Sequence, residues 1–422
     1  MPWLKNNAPC DLMGRPVADA GLRCRAGAAS TLRFADPDLP LAVVVAETRW
    51  DEPPRMRHDV TRQLMRWFNV LFVEFFPVGD TNRNEDKWTR AEERLLIYSP
   101  QAPLLIPVRL YANDPLTHRL VNLYFTKLIA DAVRYLPSHR PILFNFVYHF
   151  PELMAAMLFS YKIYVCFDEF PKMQRRAYKR NALKAWYQAT LFQHYENQVA
   201  RRANRCFTPH FPLRTKLAKV NGSVEMLFHA HDFPVCPVEP PPKRSRIINV
   251  CFAGFINYRL LSDWLLSVSQ AQDMRLSLIG PIQGKEMECV LTQPLVQYIP
   301  PLDKAALRSK LMEMDVLIMP YDWTTPEAAI LTTNSKTFQY VATGKPVVIS
   351  NLPHYIELPR GVLYKAQSAE DFVAKIRQAY YEDSEDLVRL RSQVATENSW
   401  DKRGDLLHAT INQDQECPEL SK

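Results

Sequence analysis

The chain has 422 residues, of which 47% are hydrophobic and 23% charged, with a formal net charge of +7. This is ordinary globular composition, long enough for two domains with full cores; no apolar run reaches membrane-spanning length and no signal pattern opens the chain, so it reads as cytoplasmic. Eight scattered cysteines without a C-x-x-C pair argue against a zinc site or a disulfide framework and for buried or incidental thiols.

Charge is unevenly divided. Residues 1–240 carry 32 Lys and Arg against 23 Asp and Glu, whereas residues 241–422 carry 20 against 22. A partner of negative charge, an anionic membrane surface or an acidic acceptor, is therefore expected at the first half. Residues 1–38 have no period and many turn formers, and are read as a loose leader. A buried strand from Leu41 to Ala46 leads into the loop WDEPPRMRHD, a helix over VTRQLMRWF with Asp59 as a possible cap, and a strand in NVLFVEFF. Strand, loop, helix, strand is the opening of a Rossmann-like half, and its loop, with Trp50, Asp51, Arg55, Arg57 and His58, falls at the carboxyl end of the sheet. Arg57 and His58 are acceptor-side candidates there; a solvated loop is the alternative.

Two short strands are expected in EERLLIYSP and APLLIPVRLY. A helix is expected over THRLVNLYFTKLIADAVRYL, with Leu120, Leu123, Tyr124, Leu128, Ile129 and Val133 at helical spacing. PILFNFVYHF and YKIYVCFDEF read as buried strands ending at His149 and Asp168. His149 is an acceptor-side candidate or a core histidine that satisfies itself with a backbone bond. Between Lys172 and Arg205 lie nine basic residues and a single acidic one, Glu196, with Tyr178, Trp186, Tyr187, Phe192 and Tyr195 interleaved. That is either a surface for anionic lipid or a core-packed helix with a solvated basic back; no nucleic-acid signature accompanies it. After a further strand, helix and strand, the proline-rich run at 234–246 marks an interdomain linker, which separates a domain at 39–233 from one at 247–398 and a final segment at 399–422.

The second domain opens with a strand from Ile248 to Phe252 and a tight Ala253-Gly254-Phe255 turn, where Gly254 permits close backbone approach to a diphosphate. MRLSLIGP, VQYIPPL and the helix DKAALRSKLMEM continue the alternation expected of a parallel sheet. The strand Val316 to Met319 is then followed by a polar loop, a helix starting near Ser335 or Lys336, a Gly344 stop and the strand Val347 to Ile349. Asn334 and Ser335 stand at the helix mouth, where backbone N–H groups, the helix dipole and the Lys336 ammonium converge on one spot suited to phosphate. Gln339, three residues on, shares nearly the same face and suits ribose hydroxyls; Tyr321 leaves the preceding strand end, where it could stack on a base.

The run NSKTFQYVATGKPVV resembles the donor-site signature of GT-B glycosyltransferases. The retaining family 4 form carries two Glu eight positions apart, and Leu331 and Gln339 stand at those positions here. Lys followed by Gln, with a Tyr upstream, is similar instead to the bacterial glucuronosyltransferases of xanthan-type exopolysaccharide synthesis. The resemblance implies an α/β architecture of two Rossmann-like domains facing a cleft, with a last helix, entered at Ser399-Trp400-Asp401, that crosses back to the first domain. It implies a UDP-sugar donor held by Tyr321, Asn334, Ser335, Lys336 and Gln339, with Phe255 as an apolar contact, and transfer of a hexose or glucuronate to a saccharide or lipid-linked saccharide acceptor. Relatives of this kind use lipid-carried acceptors, which implies a peripheral place at the inner face of the cell membrane. The Trp50-to-His58 loop is similar to a W-x-x-x-x-R-P/R-H pattern of polysaccharide glycosyltransferases. Asp168 matches a strand-end Asp implicated in catalysis, where a carboxylate would take the acceptor's proton; its neighbour Glu169 could equally hold that role, and a helix cap for the segment beginning near Pro171 is the alternative reading of Asp168.

Other motifs are missing from the sequence. There is no G-x-G-x-x-G or Walker spacing, no cluster with metal-ligand spacing, and a D-x-D pair only as Asp36-Pro-Asp38, so donor binding without metal or other cofactor is expected. Two rival readings stay open: a nucleotide-sugar epimerase of the same fold, and a non-catalytic sugar- or partner-binding relative.

Overall fold

The computed structural model describes residues 33–75, 86–101, 106–136, 140–171, 181–239 and 245–416. The chain divides into two compact units, residues 1–227 with 404–422, and residues 228–403. Most of the expected leader, the basic residues 172–180 and residues 417–422 lie outside the described residues.

The first unit runs β1 (Leu41–Ala46), α1 (Met56–Leu64), β2 (Asn69–Glu74), β3 (Lys87–Glu92), β4 (Leu95–Ser99), α2 (Val108–Asn113), α3 (Pro115–Arg134), β5 (Ile142–Asn145), α4 (Pro151–Ala155), β6 (Tyr161–Val165), α5 (Ala182–Arg202), β7 (Arg205–Thr208), α6 (Phe211–Leu217) and β8 (Val224–Met226). Its strands form one sheet in the order β3-β4-β2-β1-β5-β6-β7-β8, parallel except for β3. The continuous apolar run of β1 is buried along its whole length, as a central parallel strand covered on both faces must be. Leu41 registers with Asn69 of β2, and Ala42 with Ile142 of β5. Because β2 and β4 add on one side of β1 and β5 on the other, the topological switch point lies at the carboxyl ends of β1 and β5. β3, which the sequence did not suggest, is an edge strand on which only Trp88 is buried; its exposed charges discourage further strand pairing.

Three expectations are corrected here. The helix expected from Val60 begins at Met56, and Asp59 lies in its first turn rather than capping it. The reason is His58, whose Nδ1 accepts the Arg55 backbone N–H at 3.1 Å in the manner of the acidic residue of a capping box. Second, APLLIPVRLY yields no strand among its described residues; 108–113 form a helix that leads directly into α3. Third, α3 buries His118, Val121, Asn122, Phe125, Ile129, Ala132 and Val133, and leaves Leu120 and Leu123 57% and 46% exposed. The helix is thus rotated so that two polar residues, His118 and Asn122, face inward, where a buried hydrogen-bond network satisfies them.

The second unit runs β9 (Ile248–Ala253), α7 (Ser262–Gln270), β10 (Met274–Ile279), α8 (Glu288–Leu291), β11 (Val296–Ile299), α9 (Lys304–Met312), β12 (Val316–Met319), α10 (Pro326–Ala329), α11 (Ser335–Ala342), β13 (Val347–Ser350), β14 (Leu363–Ala366), α12 (Ala369–Glu382) and α13 (Glu385–Glu397), and α14 (Trp400–Glu416) follows. Its sheet is wholly parallel, ordered β11-β10-β9-β12-β13-β14, so its switch point lies between β9 and β12. Part of the proline-rich run belongs to this unit: the Cys236 N–H bonds Ala342 O at 2.8 Å and Arg308 donates to Pro234 O; residues 240–244 lie outside the described set. Arg391, fully buried on α13, donates to the carbonyls of Gly344 and Gly361 at 2.7 Å each and pairs with Asp383.

The boundary between the units falls inside α14, between Arg403 and Gly404. Within the first unit, the Asp414 carboxylate accepts from Arg205 Nε at 2.8 Å and Nη2 at 2.6 Å and from the Tyr161 hydroxyl, while His408 stacks on Trp67 with ring centroids 4.4 Å apart. No described helix is long and apolar enough to cross a membrane.

Candidate functional site

In the second unit the switch point is built from two glycine turns and one helix mouth. Gly254 and Gly280 follow β9 and β10 with φ of 149° and 130°, conformations that side chains other than glycine rarely adopt. A Cβ on Gly280 would stand 2.2 Å from Gly254 O, and one on Gly254 would stand 2.2 Å from Lys336 Cε, so the Lys336 side chain lies directly against the bare backbone of the first turn. Its Nζ donates to Tyr321 Oη at 3.3 Å and sits 5.9 Å from the ring centroids of Phe252 and Tyr321. No carboxylate among the described residues pairs with this ammonium, and a lysine keeps two more N–H donors for a ligand.

α11 is capped by Asn334, whose Oδ1 accepts from the Thr337 N–H and hydroxyl at 3.0 Å each, while its Nδ2 is buried without a partner. Ser335 begins the helix beside it, and the half-buried Gln339 amide has no hydrogen bond to another described residue. Gly254, Lys336, Tyr321, Asn334 and Ser335 thus meet at one strand end, with a half-buried helix mouth suited to an anion. Tyr321 differs from the expectation of a base-stacking ring: it is 8% exposed, packs edge-on to Phe252 at 6.4 Å and supports Lys336 through its hydroxyl. Phe255, 55% exposed in the Gly254 turn, is the aromatic ring open to solvent there.

A residue that sequence reasoning passed over holds this arrangement together. The Tyr340 hydroxyl accepts from the Ala253 N–H at 2.7 Å and donates to Ala253 O at 3.2 Å, which clamps the end of β9 to α11. Burial pushes the Tyr340 hydroxyl well above its ordinary pKa, so it stays a neutral donor. Tyr340→Phe leaves the Ala253 N–H without its partner and is expected to lower the stability of the second unit by about 1–3 kcal/mol. A urea titration in which the variant unfolds at the wild-type midpoint would remove the clamp.

The switch point of the first unit holds a different set. Glu47, just after β1, faces His149 just after β5, with Oε1 2.9 Å from Nε2. Behind them, Tyr111 Oη donates to Asn122 Oδ1 at 2.9 Å and lies 3.2 Å from His149 Nδ1; Asn122 Nδ2 is 3.2 Å from His118 Nδ1 and 3.2 Å from Glu152 Oε2. With the tyrosine proton on Asn122, His149 Nδ1–H donates to Tyr111, which turns the imidazole Nε2 toward the Glu47 carboxylate. Burial, and next the charge of His149, push His118 down to about 2, which keeps it neutral against the Tyr195 ring stacked 4.0 Å away. Glu47 carries no local sequence signal beyond its place after a buried strand.

Of the acceptor-side candidates, His149 reaches this edge only behind Glu47. His58 does not reach it: it is fully buried, its Nδ1 accepts from Arg55 N–H, and its Nε2–H donates to Arg49 O at 2.9 Å. Desolvation, offset in part by that bond, lowers its pKa to about 4, so His58 is a neutral staple of the loop. Arg57 lies 6% exposed with its guanidinium 4.9 Å over the Phe167 ring. Asp168 follows Phe167 in the loop after β6, and its Oδ1 accepts the Glu169 N–H at 2.8 Å. Glu169 itself is bound to Lys216 Nζ at 2.7 Å, which also reaches the buried Glu196. No group of three or more metal-ligating side chains occurs among the described residues.

No protein-family model and no curated protein sequence matches the chain. Solved structures do. A trehalose-6-phosphate structure from E. coli bound with UDP-2-fluoro glucose superposes with a TM-score of 0.62 at 11% identity, covering 88% of this chain and 99% of that one. Sucrose-phosphate synthase from Thermosynechococcus elongatus gives 0.62 at 10%, covering 89% and 98%, and HepE from Anabaena in complex with UDP and glucose gives 0.59 at 10%, covering 89% and 100%. At these identities the likeness is one of fold: a mixed α/β chain with two mainly parallel sheets, which matches GT-B structures.

Proposed function

We propose that the chain is a glycosyltransferase that takes a sugar from a UDP-sugar bound at the second unit and passes it to a saccharide acceptor bound at the first. The observation that carries this reading is Lys336, an ammonium without a carboxylate partner among the described residues, laid against the Gly254 backbone at the mouth of α11. A diphosphate would find there a cation, a helix N-terminus and a glycine turn that lets it approach the backbone, and on this reading needs no metal to neutralise it. The Gln339 amide would take ribose hydroxyls, and Phe255 would cover the base. That two structural neighbours are described in complex with UDP-2-fluoro glucose and with UDP and glucose supports the same donor class.

The finer assignment follows the sequence resemblance: a hexose or glucuronate donor, and an acceptor of cell-surface or exopolysaccharide synthesis carried on lipid at the inner face of the membrane. The exposed apolar side chains Leu116, Leu120 and Leu123 on α3, with Leu183 and Trp186 on α5, support an approach of the first unit to such a surface. For the base we keep Asp168, and the buried relay behind Glu47 favours that carboxylate as a second candidate. Calorimetric titration with UDP, GDP and ADP, without added metal, tests the donor site; selective UDP binding is the expected result, and no binding by any of the three would leave the non-catalytic reading in its place. Asp168→Asn and Glu47→Gln then separate the two carboxylates: loss of the base should lower turnover roughly 100-fold or more with UDP affinity retained. Wild-type turnover in both variants would remove acid–base catalysis by either.

A further inference from the structure

The Arg57 side chain is 94% removed from solvent by its 6% exposure, yet it makes no ion pair or hydrogen bond with any described residue. Its Nε is sealed and unpartnered, while its two terminal nitrogens are not among the sealed atoms. A cation held so deep without an anion is costly, because desolvation is offset only when a counter-charge is close. The neighbouring carboxylates are already committed: Glu47 to His149 at 2.9 Å, Glu52 to Arg55 and the Arg49 N–H, and Glu74 to the Trp50 N–H at 2.9 Å. Desolvation, followed by repulsion from Arg55, lowers the Arg57 pKa to about 10, with Glu47 and Glu52 opposing; the guanidinium remains charged at neutral pH.

The setting is that of a receptor. Arg57 stands in the first turn of α1, whose N-terminal dipole faces the same carboxyl edge of the sheet as the switch point marked by Glu47 and His149. The guanidinium, a fork planar by its own bonding, has its carbon 4.9 Å over the Phe167 ring, a contact that helps hold the side chain in place. A fork of this kind matches the oxygens of a phosphate or a carboxylate.

We propose that the acceptor site of the first unit recognises an anionic group, a phosphate or carboxylate on the acceptor saccharide, with Arg57 as its receptor. This rests on the glycosyltransferase reading for the word acceptor, and on the geometry of Arg57 alone for the anion. The anion completes a charge that no described residue pairs, so binding and stability are linked: the receptor is strained when empty and relieved when filled.

The test is thermal unfolding of the full chain and of Arg57→Met, each with UDP in excess so that the donor turn is occupied. Inorganic phosphate, glucose 6-phosphate, glucuronate and uncharged glucose are added at matched ionic strength. The expected result is that at least one of the three anions raises the wild-type Tm by several degrees while glucose does not, that Arg57→Met loses this response, and that the variant alone melts at or above the wild-type temperature. Glucose 6-phosphate against glucuronate tells phosphate from carboxylate. An equal anion response in both proteins, no wild-type response to any anion, or a variant that melts clearly lower, as a structural arginine would require, overturns the proposal. UDP affinity, measured in the same proteins, reports the donor reading separately.

Discussion

Replacing Lys336 with alanine is expected to weaken UDP binding by roughly 10- to 100-fold, the worth of one charge-assisted hydrogen bond of about 1.5–3 kcal/mol. Turnover should fall further, by about 100- to 1,000-fold, because the negative charge on the leaving diphosphate grows as the sugar departs, and a fixed donor aimed at it counts most at that point. The side chain is half-buried and its single hydrogen-bond partner among the described residues is the Tyr321 hydroxyl, so its removal strands no described carboxylate and should leave the fold intact. Calorimetry for UDP and a product assay at saturating donor check the two halves separately. UDP affinity equal to wild type would move the pyrophosphate away from the Gly254 turn.

Arg391→Met should destabilise the second unit by about 3–5 kcal/mol, the usual cost of removing one partner from a buried ionic network. The substitution strips partners from the Gly344 and Gly361 carbonyls and from Asp383 at once, in a place without solvent to replace them. Gly344 ends the segment that carries Lys336 and Gln339, so this arginine ties the site helix to α13 from the far side. Guanidinium unfolding, monitored by Trp264 and Trp323 in that unit, provides the measurement. A midpoint within error of wild type would mean that the network is solvated after all.

What the sequence revealed and what it hid divide along physical lines. Continuous apolar runs such as LAVVVA and VLIM announce central parallel strands because nothing else buries them on both faces. The helix mouth at Asn334 is equally legible, since capping chemistry is local and Lys336 follows within two residues. The start of α1 was hidden because a histidine does the work of an acidic cap. The face of α3 was misread because its inward side carries His118 and Asn122, whose partners are distant in sequence. Glu47 and His149 are 102 residues apart, and no pattern in either segment signals the pair. The buried state of Tyr321 depends on Phe252 and Lys336, which only the folded sheet brings beside it.

Asp414 gives the chain an unusual order of completion during synthesis. The Arg205 guanidinium and its carboxylate are 209 residues apart, and the whole second unit is translated between them. A ribosome therefore delivers the first unit with Arg205 held only by Glu225, and with the Tyr161 hydroxyl and a face of Trp67 still waiting for Asp414 and His408. Domains generally fold from the N-terminal end as they emerge, but here the earlier one is finished last. A chain shortened at its carboxyl end by a single helix would thus injure the half of the protein that was made first.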